Sequence, residues 1–292
     1  MPNSSSLKIG VAQVETVPGD LVANLQKHLA MIEAGRAQGL DILLFPEMSL
    51  TGHNVGAETL RLAIFRDDAI VGEIARASGP MCAIFGLIEE SVSAQFFNTA
   101  IAVRDGGIVF IHRKINLATY GKLEEGKHFA NGRYVETFEM GPRWRASVLI
   151  CNDLWNPPLV HIAAVHGATV LFAPISSAVE AVGFEFDNPG GWAVNLQFYA
   201  MTYGMPVIMA NRIGVEGDLT FWGGSRILDA FGKTLAQAGE GEELISTEID
   251  YEHVRLARYL LPTLRDSNLG LIDREVDRLV RIVGVPESVR IL

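Results

Sequence analysis

The sequence predicts an α/β fold arranged as a four-layer αββα sandwich, in which two mixed sheets are covered by helices. Three features of the 292-residue chain indicate this architecture. The chain opens with the order strand, helix, strand, and a DGG turn between two apolar runs indicates a hairpin and therefore a mixed sheet. In addition, the sequence predicts roughly ten strands and four or five helices, with the helices grouped between strand clusters. This arrangement suits two sheets packed face to face.

The first half of the chain alternates β-type runs with helical repeats. LKIGVAQVE (7–15) predicts a strand that ends at a PGD turn, and DILLFPE (41–47) predicts a buried strand. The helix predicted between them, over 21–39, has apolar residues at helical spacing: Leu21, Leu25, Leu29 and Ile32. Next come a helix over about 56–78, the strand MCAIFGLIEES (81–91) and the hairpin runs NTAIAVR and IVFIHRK.

The second half continues the same alternation. RASVLIC (145–151) predicts a strand, LVHIAAVHG a helix, ATVLFAPI a strand, and NPGGWAVNLQFYAMTYG a longer helix closed by glycine. The regular part ends with PVIMANRIG, a hairpin within GGSRILDAFGKTLAQA, and ELISTEID.

The chain is predicted to form one domain over residues 1–292, with its core at about 7–250. The tail, 251–292, carries closely spaced charges and has helical periodicity through Leu271, Val276, Leu279 and Val280. Two interpretations of the tail remain open, a solvated end and a segment that covers a partner subunit.

Composition narrows the class of partner. The formal net charge of -10 argues against nucleic acid and anionic membranes, because neither is attracted to an acidic surface. The longest apolar runs have strand length, and MPNSSSLKIG lacks a secretory apolar region. Two cysteines are too few for a disulfide framework or a Cys-rich zinc site. We therefore expect a cytoplasmic protein that acts on a small molecule, with no nucleic-acid or membrane partner.

Three chemically useful residues stand at the ends of predicted strands. Glu47 follows DILLFP, Lys114 follows IVFIHR, and Cys151 follows RASVLI. Strand ends are where α/β proteins gather catalytic groups, since the sheet is rigid and the loops admit substrate. Taken singly, each has an ordinary explanation: a turn cap for the glutamate, a surface charge for the lysine and a core position for the cysteine.

The segments around these residues resemble a known family. FPEMSLTG, HRKINLATYG and VLICNDLW are similar to the three signature segments of the nitrilase superfamily, the carbon-nitrogen hydrolases, and the resemblance extends over about residues 7–250. It implies a catalytic triad of Glu47, Lys114 and Cys151 in the αββα fold, with Glu125 of LEEGKHFANG, rather than Glu124, as a fourth member. It also implies homodimers or larger assemblies. No metal or organic cofactor is expected.

The implied chemistry is acyl transfer to a thiol. Lys114 favours the thiolate of Cys151, and Glu47 takes the thiol proton and passes it to departing ammonia. Lys114 and the backbone N–H of Asn152 would stabilise the oxyanion, and water activated by Glu47 or Glu125 would hydrolyse the thioester.

The substrate class is less defined by the sequence. The segment CNDLWNP lacks the Arg-Phe-Pro-Glu of many family amidases, and its Asp-Leu-Trp is similar to the glutaminase domains attached to NAD synthetases; the Trp-Glu typical of nitrile-cleaving members is absent. An amide substrate with a small or medium apolar acyl group is therefore favoured. A nitrilase, an N-carbamoyl amide hydrolase and a catalytically silent binding or scaffold protein remain alternatives. The candidate substrate-binding residues are Tyr120, Asn152, Trp155, Ser176, Ser177 and Glu180.

Overall fold

Two six-stranded sheets and a separate hairpin organise the chain, as seen in a computed structural model that describes residues 5–53, 55–183 and 185–284. The strands of this described part are β1 Ser6–Gln13, β2 Ile42–Leu44, β3 Cys82–Glu90, β4 Phe96–Arg104, β5 Gly107–Arg113, β6 Phe138–Glu139, β7 Arg145–Val148, β8 Val170–Ile175, β9 Val207–Asn211, β10 Ile213–Glu216, β11 Leu219–Trp222, β12 Arg226–Leu228, β13 Thr234–Gln237 and β14 Glu243–Asp250. The helices are α1 Leu21–Ala37, α2 Thr59–Leu62, α3 Ala69–Ser78, α4 Pro157–Val165, α5 Asn188–Tyr203, α6 Tyr251–Leu260 and α7 Leu269–Val283.

Both sheets are mixed, as predicted. The first has the order β14-β1-β2-β3-β4-β5, with β1, β2 and β3 parallel and the outer pairs antiparallel. The second has the order β13-β12-β9-β8-β7-β6, with β7, β8 and β9 parallel. The carboxyl ends of the parallel strands in each sheet therefore form one edge, where loops can meet.

The layers are visible in how side chains alternate along the strands. Ile42 and Leu44 of β2 belong to the same buried cluster as Val148 and Phe172 of the second sheet, whereas Leu43 belongs to the cluster that includes residues of α1 and α3. Because successive side chains of a strand point to opposite faces, the first sheet packs on the second sheet with one face and on helices with the other. Residues of α4 and α5 join the second sheet, which completes the four layers.

The predicted helix over 56–78 is wrong as a single element. A short 3-10 turn at Gly56–Glu58 and α2 are followed by an extended stretch, in which Ile64 forms a parallel bridge with Glu89. A new helix, α3, then begins where the Asp68 side chain accepts a hydrogen bond from the Ile70 backbone N–H. Pairing with the edge of β3 interrupts the helix that the local pattern favours.

The tail forms two helices, and the predicted periodicity of its last part is confirmed by α7. α6 packs on the core through Val254 and Ala257, but α7 buries none of its residues. Its apolar positions are all exposed, namely Leu269, Leu271, Ile272, Val276, Leu279, Val280, Ile282 and Val283. The end of the predicted tail, 285–292, lies outside the described residues. Within the described ranges, no helix is both long and apolar enough to cross a membrane.

Candidate active site

The structure brings the four predicted catalytic residues together at the edge where the two sheets meet. Glu47 lies three residues beyond β2, Lys114 directly follows β5, and Cys151 begins a 3-10 turn beyond β7. The Lys114 Nζ donates hydrogen bonds to Glu47 Oε1 at 2.7 Å and to Glu125 Oε2 at 2.7 Å. All four side chains are buried. The ammonium group therefore joins two carboxylates beside the thiol.

The backbone around Glu47 is held in an unusual conformation. Met48 has a φ of 48°, in the left-handed region, and Gly86 of β3 lies so close that a Cβ there would be 2.2 Å from the Met48 backbone N. Ser176, which follows β8, donates its hydroxyl to the Glu47 carbonyl O at 2.9 Å and its backbone N–H to Glu47 Oε2 at 2.8 Å. The two sheets thus fix the carboxylate from both sides.

Asn98 is a member of the cluster that sequence reasoning missed. Its Nδ2 donates to Glu47 Oε1 and to Glu125 Oε1, both at 2.8 Å, and its backbone carbonyl accepts from the Lys114 N–H at 2.9 Å. Asn98 is buried in β4. A polar residue within the apolar run FFNTAIAV was the available signal, because a buried amide requires hydrogen-bond partners.

Cys151 is in a strained conformation that its neighbours maintain. Its φ of 44° is in the left-handed region, which non-glycine residues adopt mainly where surrounding structure enforces it. The turn is closed by two hydrogen bonds: the Asp153 N–H donates to the Ile150 carbonyl at 2.9 Å, and the Ile150 N–H donates to Asp153 Oδ2 at 3.0 Å. The side chain of Asp153 therefore fixes the turn that presents the sulfur.

The same Asp153 carboxylate connects the cysteine turn to the segment that carries the lysine. It accepts hydrogen bonds from the backbone N–H groups of Ile115 at 3.0 Å and Asn116 at 2.7 Å, and from His112 Nε2 at 2.9 Å. His112 and Ile115 lie on either side of Lys114 in the chain. One fully buried carboxylate thus sets the spacing between the thiol and the ammonium.

Electrostatics define the resting charges of the cluster. Burial by itself raises the pKa of Glu47, but the Lys114 ammonium, together with the other neighbouring groups and the Lys114 and Asn98 hydrogen bonds, holds that pKa below its ordinary value. Burial lowers the pKa of Lys114, but the carboxylates of Glu125 and Glu47 raise it well above its ordinary value. Burial and the Glu47 carboxylate raise the pKa of Cys151 well above its usual range. Lys114 does favour the thiolate, as expected, but with a smaller effect, so the resting cysteine is a neutral thiol.

Comparison with known proteins identifies the family of this cluster. The sequence profile of the carbon-nitrogen hydrolases matches residues 8–259. The chain belongs to the carbon-nitrogen hydrolase family. The resemblance of its three signature segments to the amidase-like branch of the nitrilase superfamily is thereby confirmed.

Relatives of the chain include proteins of similar length and longer ones. It is 27% identical over 277 residues to an (R)-stereoselective amidase from Pseudomonas sp., covering 93% of this chain and 95% of that protein. It is 29% identical over 252 residues to the glutamine-dependent NAD(+) synthetase of Thermotoga maritima, covering 84% of this chain but only 42% of the synthetase. The chain thus spans less than half the length of that relative.

A solved structure shows the same fold. A double mutant of the amidase from Nesterenkonia sp. AN1 in complex with acrylamide superposes with a TM-score of 0.79 at 24% identity, covering 94% of this chain and 98% of that one. At this identity the likeness shows the fold alone.

The predicted substrate-binding residues differ in their surroundings. Tyr120, 40% exposed, donates its hydroxyl at 3.0 Å to Oδ1 of Asn152, the residue directly after Cys151. The Ser176 N–H donates to Glu47 Oε2 at 2.8 Å and lies near enough to the Cys151 sulfur to lower the pKa of the thiol. These three residues lie at the thiol.

The other three candidates have partners within the protein. The Ser177 hydroxyl accepts from Trp192 Nε1 at 3.0 Å, and Glu180 Oε2 accepts from the Thr220 N–H at 2.8 Å. Trp155 packs edge-on against Trp192, with ring centroids 5.0 Å apart. A role in substrate binding stays a prediction for all six.

A cavity of about 460 Å³ lies beside Glu125 and is lined in part by His53, Lys122 and His128. Ligand-type atoms of Glu47, His53 and Glu125 lie within 4.8 Å of one another, a grouping of the kind that can hold a metal ion. However, the Lys114 ammonium is already bound to both carboxylates, and a divalent cation would have to lie beside this fixed positive charge.

Proposed function

We propose that the protein is an amidase that hydrolyses the C–N bond of a small amide to a carboxylate and ammonia, through a thioester on Cys151. The observation that carries this proposal is the Lys114 ammonium bound to both Glu47 and Glu125 beside the thiol. Membership of the carbon-nitrogen hydrolase family supports the reaction class.

In the first half-reaction, the Glu47 carboxylate takes the proton of the Cys151 thiol as the sulfur attacks the amide carbon. The low pKa of Glu47 and the raised pKa of Cys151 favour this order, because the base is ionised and the nucleophile is still protonated when substrate arrives. A thiolate formed in advance would add a negative charge beside two carboxylates. Proton transfer is therefore coupled to attack.

The tetrahedral intermediate then collapses. Its oxyanion is stabilised by the Lys114 ammonium and by the backbone N–H of Asn152, which directly follows Cys151 in the strained turn. Protonated Glu47 gives its proton to the nitrogen, the C–N bond breaks and ammonia leaves. Water then attacks the thioester, a carboxylate accepts the water proton, and the sulfur leaves and is reprotonated.

The relatives support an amide as substrate. One relative is named as an (R)-stereoselective amidase, and a structure of the Nesterenkonia amidase shows the acetamide moiety of fluoroacetamide bound covalently to its active-site cysteine. A second candidate substrate is a glutamine-like amide, favoured by the similarity to glutamine-dependent synthetases. Nitriles and N-carbamoyl compounds are the remaining alternatives for the same triad.

The test is ammonia release from aliphatic, aromatic and glutamine-like amides, N-carbamoyl compounds and nitriles. Cys151→Ala is run in parallel, and Cys82→Ala serves as a matched control, because Cys82 is the other buried cysteine and lies in β3. We expect amides to be hydrolysed, Cys151→Ala to be inactive and Cys82→Ala to be active. Hydrolysis of nitriles alone would refute the amidase assignment, and no turnover of any class would favour a silent scaffold.

We also propose the oligomeric state and the cellular location that the sequence predicts. The exposed apolar positions of α7 support a homodimer or larger assembly, in which the tail covers a partner subunit. A cytoplasmic location remains a prediction from composition.

A further inference from the structure

His53 is a titratable side chain at the active site that the reaction above does not use. It lies six residues beyond Glu47 and is half-buried, and its ring packs edge-on against Phe221 with centroids 6.0 Å apart. A ring nitrogen of His53 and carboxylate oxygens of Glu47 and Glu125 lie within 4.8 Å of one another. Three polar groups therefore face a common space beside the nucleophile.

The hydrogen bonds already made by the two carboxylates leave each with capacity for one more. Glu47 accepts from Lys114, from Asn98 and from the Ser176 N–H. Glu125 accepts from the same lysine and asparagine and from the Ala118 N–H at 2.6 Å. A carboxylate offers about four acceptor positions. Each of these two carboxylates therefore has one position that the hydrogen bonds given above do not use.

One water molecule can span the distances between these groups, and the Lys114 ammonium bound to both carboxylates disfavours a metal ion there. A water that makes two hydrogen bonds of about 2.8 Å joins atoms up to about 4.6 Å apart, when the bonds meet near the tetrahedral angle. The ligand-type atoms of the three side chains all lie within 4.8 Å of one another, close to the span of one bridging water.

We propose that Glu47, Glu125 and His53 together hold the water that hydrolyses the acyl-enzyme, an inference that rests on the proposed function. The water donates one hydrogen to each carboxylate and accepts a hydrogen bond from the imidazole N–H. These bonds use both hydrogens and one lone pair, so the second lone pair is directed at the thioester carbon. His53 is thus a catalytic residue of the second half-reaction.

The step is balanced with the groups present. The water oxygen forms a bond to the acyl carbon while one water proton passes to the Glu47 carboxylate. The C–S bond then breaks, and the departing sulfur of Cys151 receives that proton from Glu47. The second water proton remains on the carboxylic acid product until it is released. His53 orients the water and keeps its own proton throughout.

The experiment separates the two half-reactions with an activated acyl ester, p-nitrophenyl acetate, for which acylation appears as a burst of p-nitrophenol and deacylation as the steady rate. His53→Phe keeps a ring against Phe221 but removes the N–H donor, and His53→Gln retains a donor. His128→Phe is the matched control, because His128 is also half-buried and lines the same cavity without belonging to the group of three.

In His53→Phe we expect deacylation to slow by about 10-fold more than acylation, in line with one lost hydrogen bond, and the acetyl-enzyme to accumulate in the intact mass. His53→Gln should recover part of the loss, and His128→Phe should match wild type. Equal slowing of both steps, or the same partition in His128→Phe, would overturn the role of His53. A wild-type enzyme that shows neither burst nor acyl adduct would instead contradict the proposed function itself, and the role of His53 would fall with it.

Discussion

Replacement of Asp153 by asparagine should damage both stability and activity, because four N–H groups depend on this one carboxylate. The donors are the backbone N–H groups of Ile150, Ile115 and Asn116 and the His112 Nε2, at 2.7 to 3.0 Å. Two of them bind Oδ1 and two bind Oδ2. An asparagine oxygen can serve one pair only, and its NH2 group would face the other pair.

The cost can be worked out from these contacts. Two buried donors would lose their acceptor, and each unpaired donor costs about 1–3 kcal/mol, so the free energy of unfolding should fall by about 2–6 kcal/mol. Relaxation of the turn would also release the left-handed conformation of Cys151 and shift the thiol relative to Lys114. A shift of this kind slows catalysis, since a misplacement of about 1 Å can cost about 100-fold.

Urea denaturation and initial-rate assays would measure the two effects. Asp229→Asn is the matched control, because Oδ1 of Asp229 accepts both of its hydrogen bonds from the described residues, the Phe231 and Lys233 N–H groups at 2.9 Å each. An asparagine oxygen can keep both of those bonds, so this control should lose less than about 1 kcal/mol. The reasoning would be refuted if Asp153→Asn lost no more stability than Asp229→Asn.

Three further predictions address charge and assembly. Lys114→Met should be inactive and less stable by about 3–5 kcal/mol, because Glu47 and Glu125 would be buried without their counter-charge. The loss of stability measured by denaturation should be smaller at pH 5 than at pH 8, since unpaired carboxylates take up protons. Equal losses at the two pH values would contradict this. The pKa of Glu47 is lowered in the folded protein, so its contribution to stability is present above its unfolded value and is lost as pH falls through the folded value. On the acid side, kcat/KM should therefore decline only below the ordinary pKa of a glutamate. A decline centred near pH 7 would show that another group is the base. The double variant Ile272→Asp, Val276→Asp changes the exposed apolar face of α7. It should reduce the mass measured by light scattering to that of a monomer, without loss of monomer stability. An unchanged mass would indicate that this face is solvated.

The regular elements were largely predictable because their signals are local. The hairpin of β4 and β5 around Asp105 and Gly106 follows from apolar runs and turn residues next to each other in sequence. The helix predicted over 56–78 failed for the opposite reason. Its interruption depends on Ile64 pairing with Glu89, a contact that no local pattern reveals.

The same distinction applies to the site. The proximity of Glu47, Lys114 and Cys151 could be predicted because each terminates a predicted strand inside a signature segment. The resting charges could not be predicted from the sequence, because burial is the first cause of the raised pKa of the Cys151 thiol. Asn98 and His53 were not predicted as part of the site, because their proximity to Glu47 and Glu125 depends on contacts between loops and strands far apart in sequence.

The measurement that tests the central claim most directly is the intact mass of the protein after brief reaction with a small acyl substrate, followed by peptide mapping. We predict a mass increase equal to the acyl group, located on Cys151, absent in Cys151→Ala and present in Cys82→Ala. An adduct on any other residue, or turnover that persists in Cys151→Ala, would contradict a thioester mechanism at this cysteine.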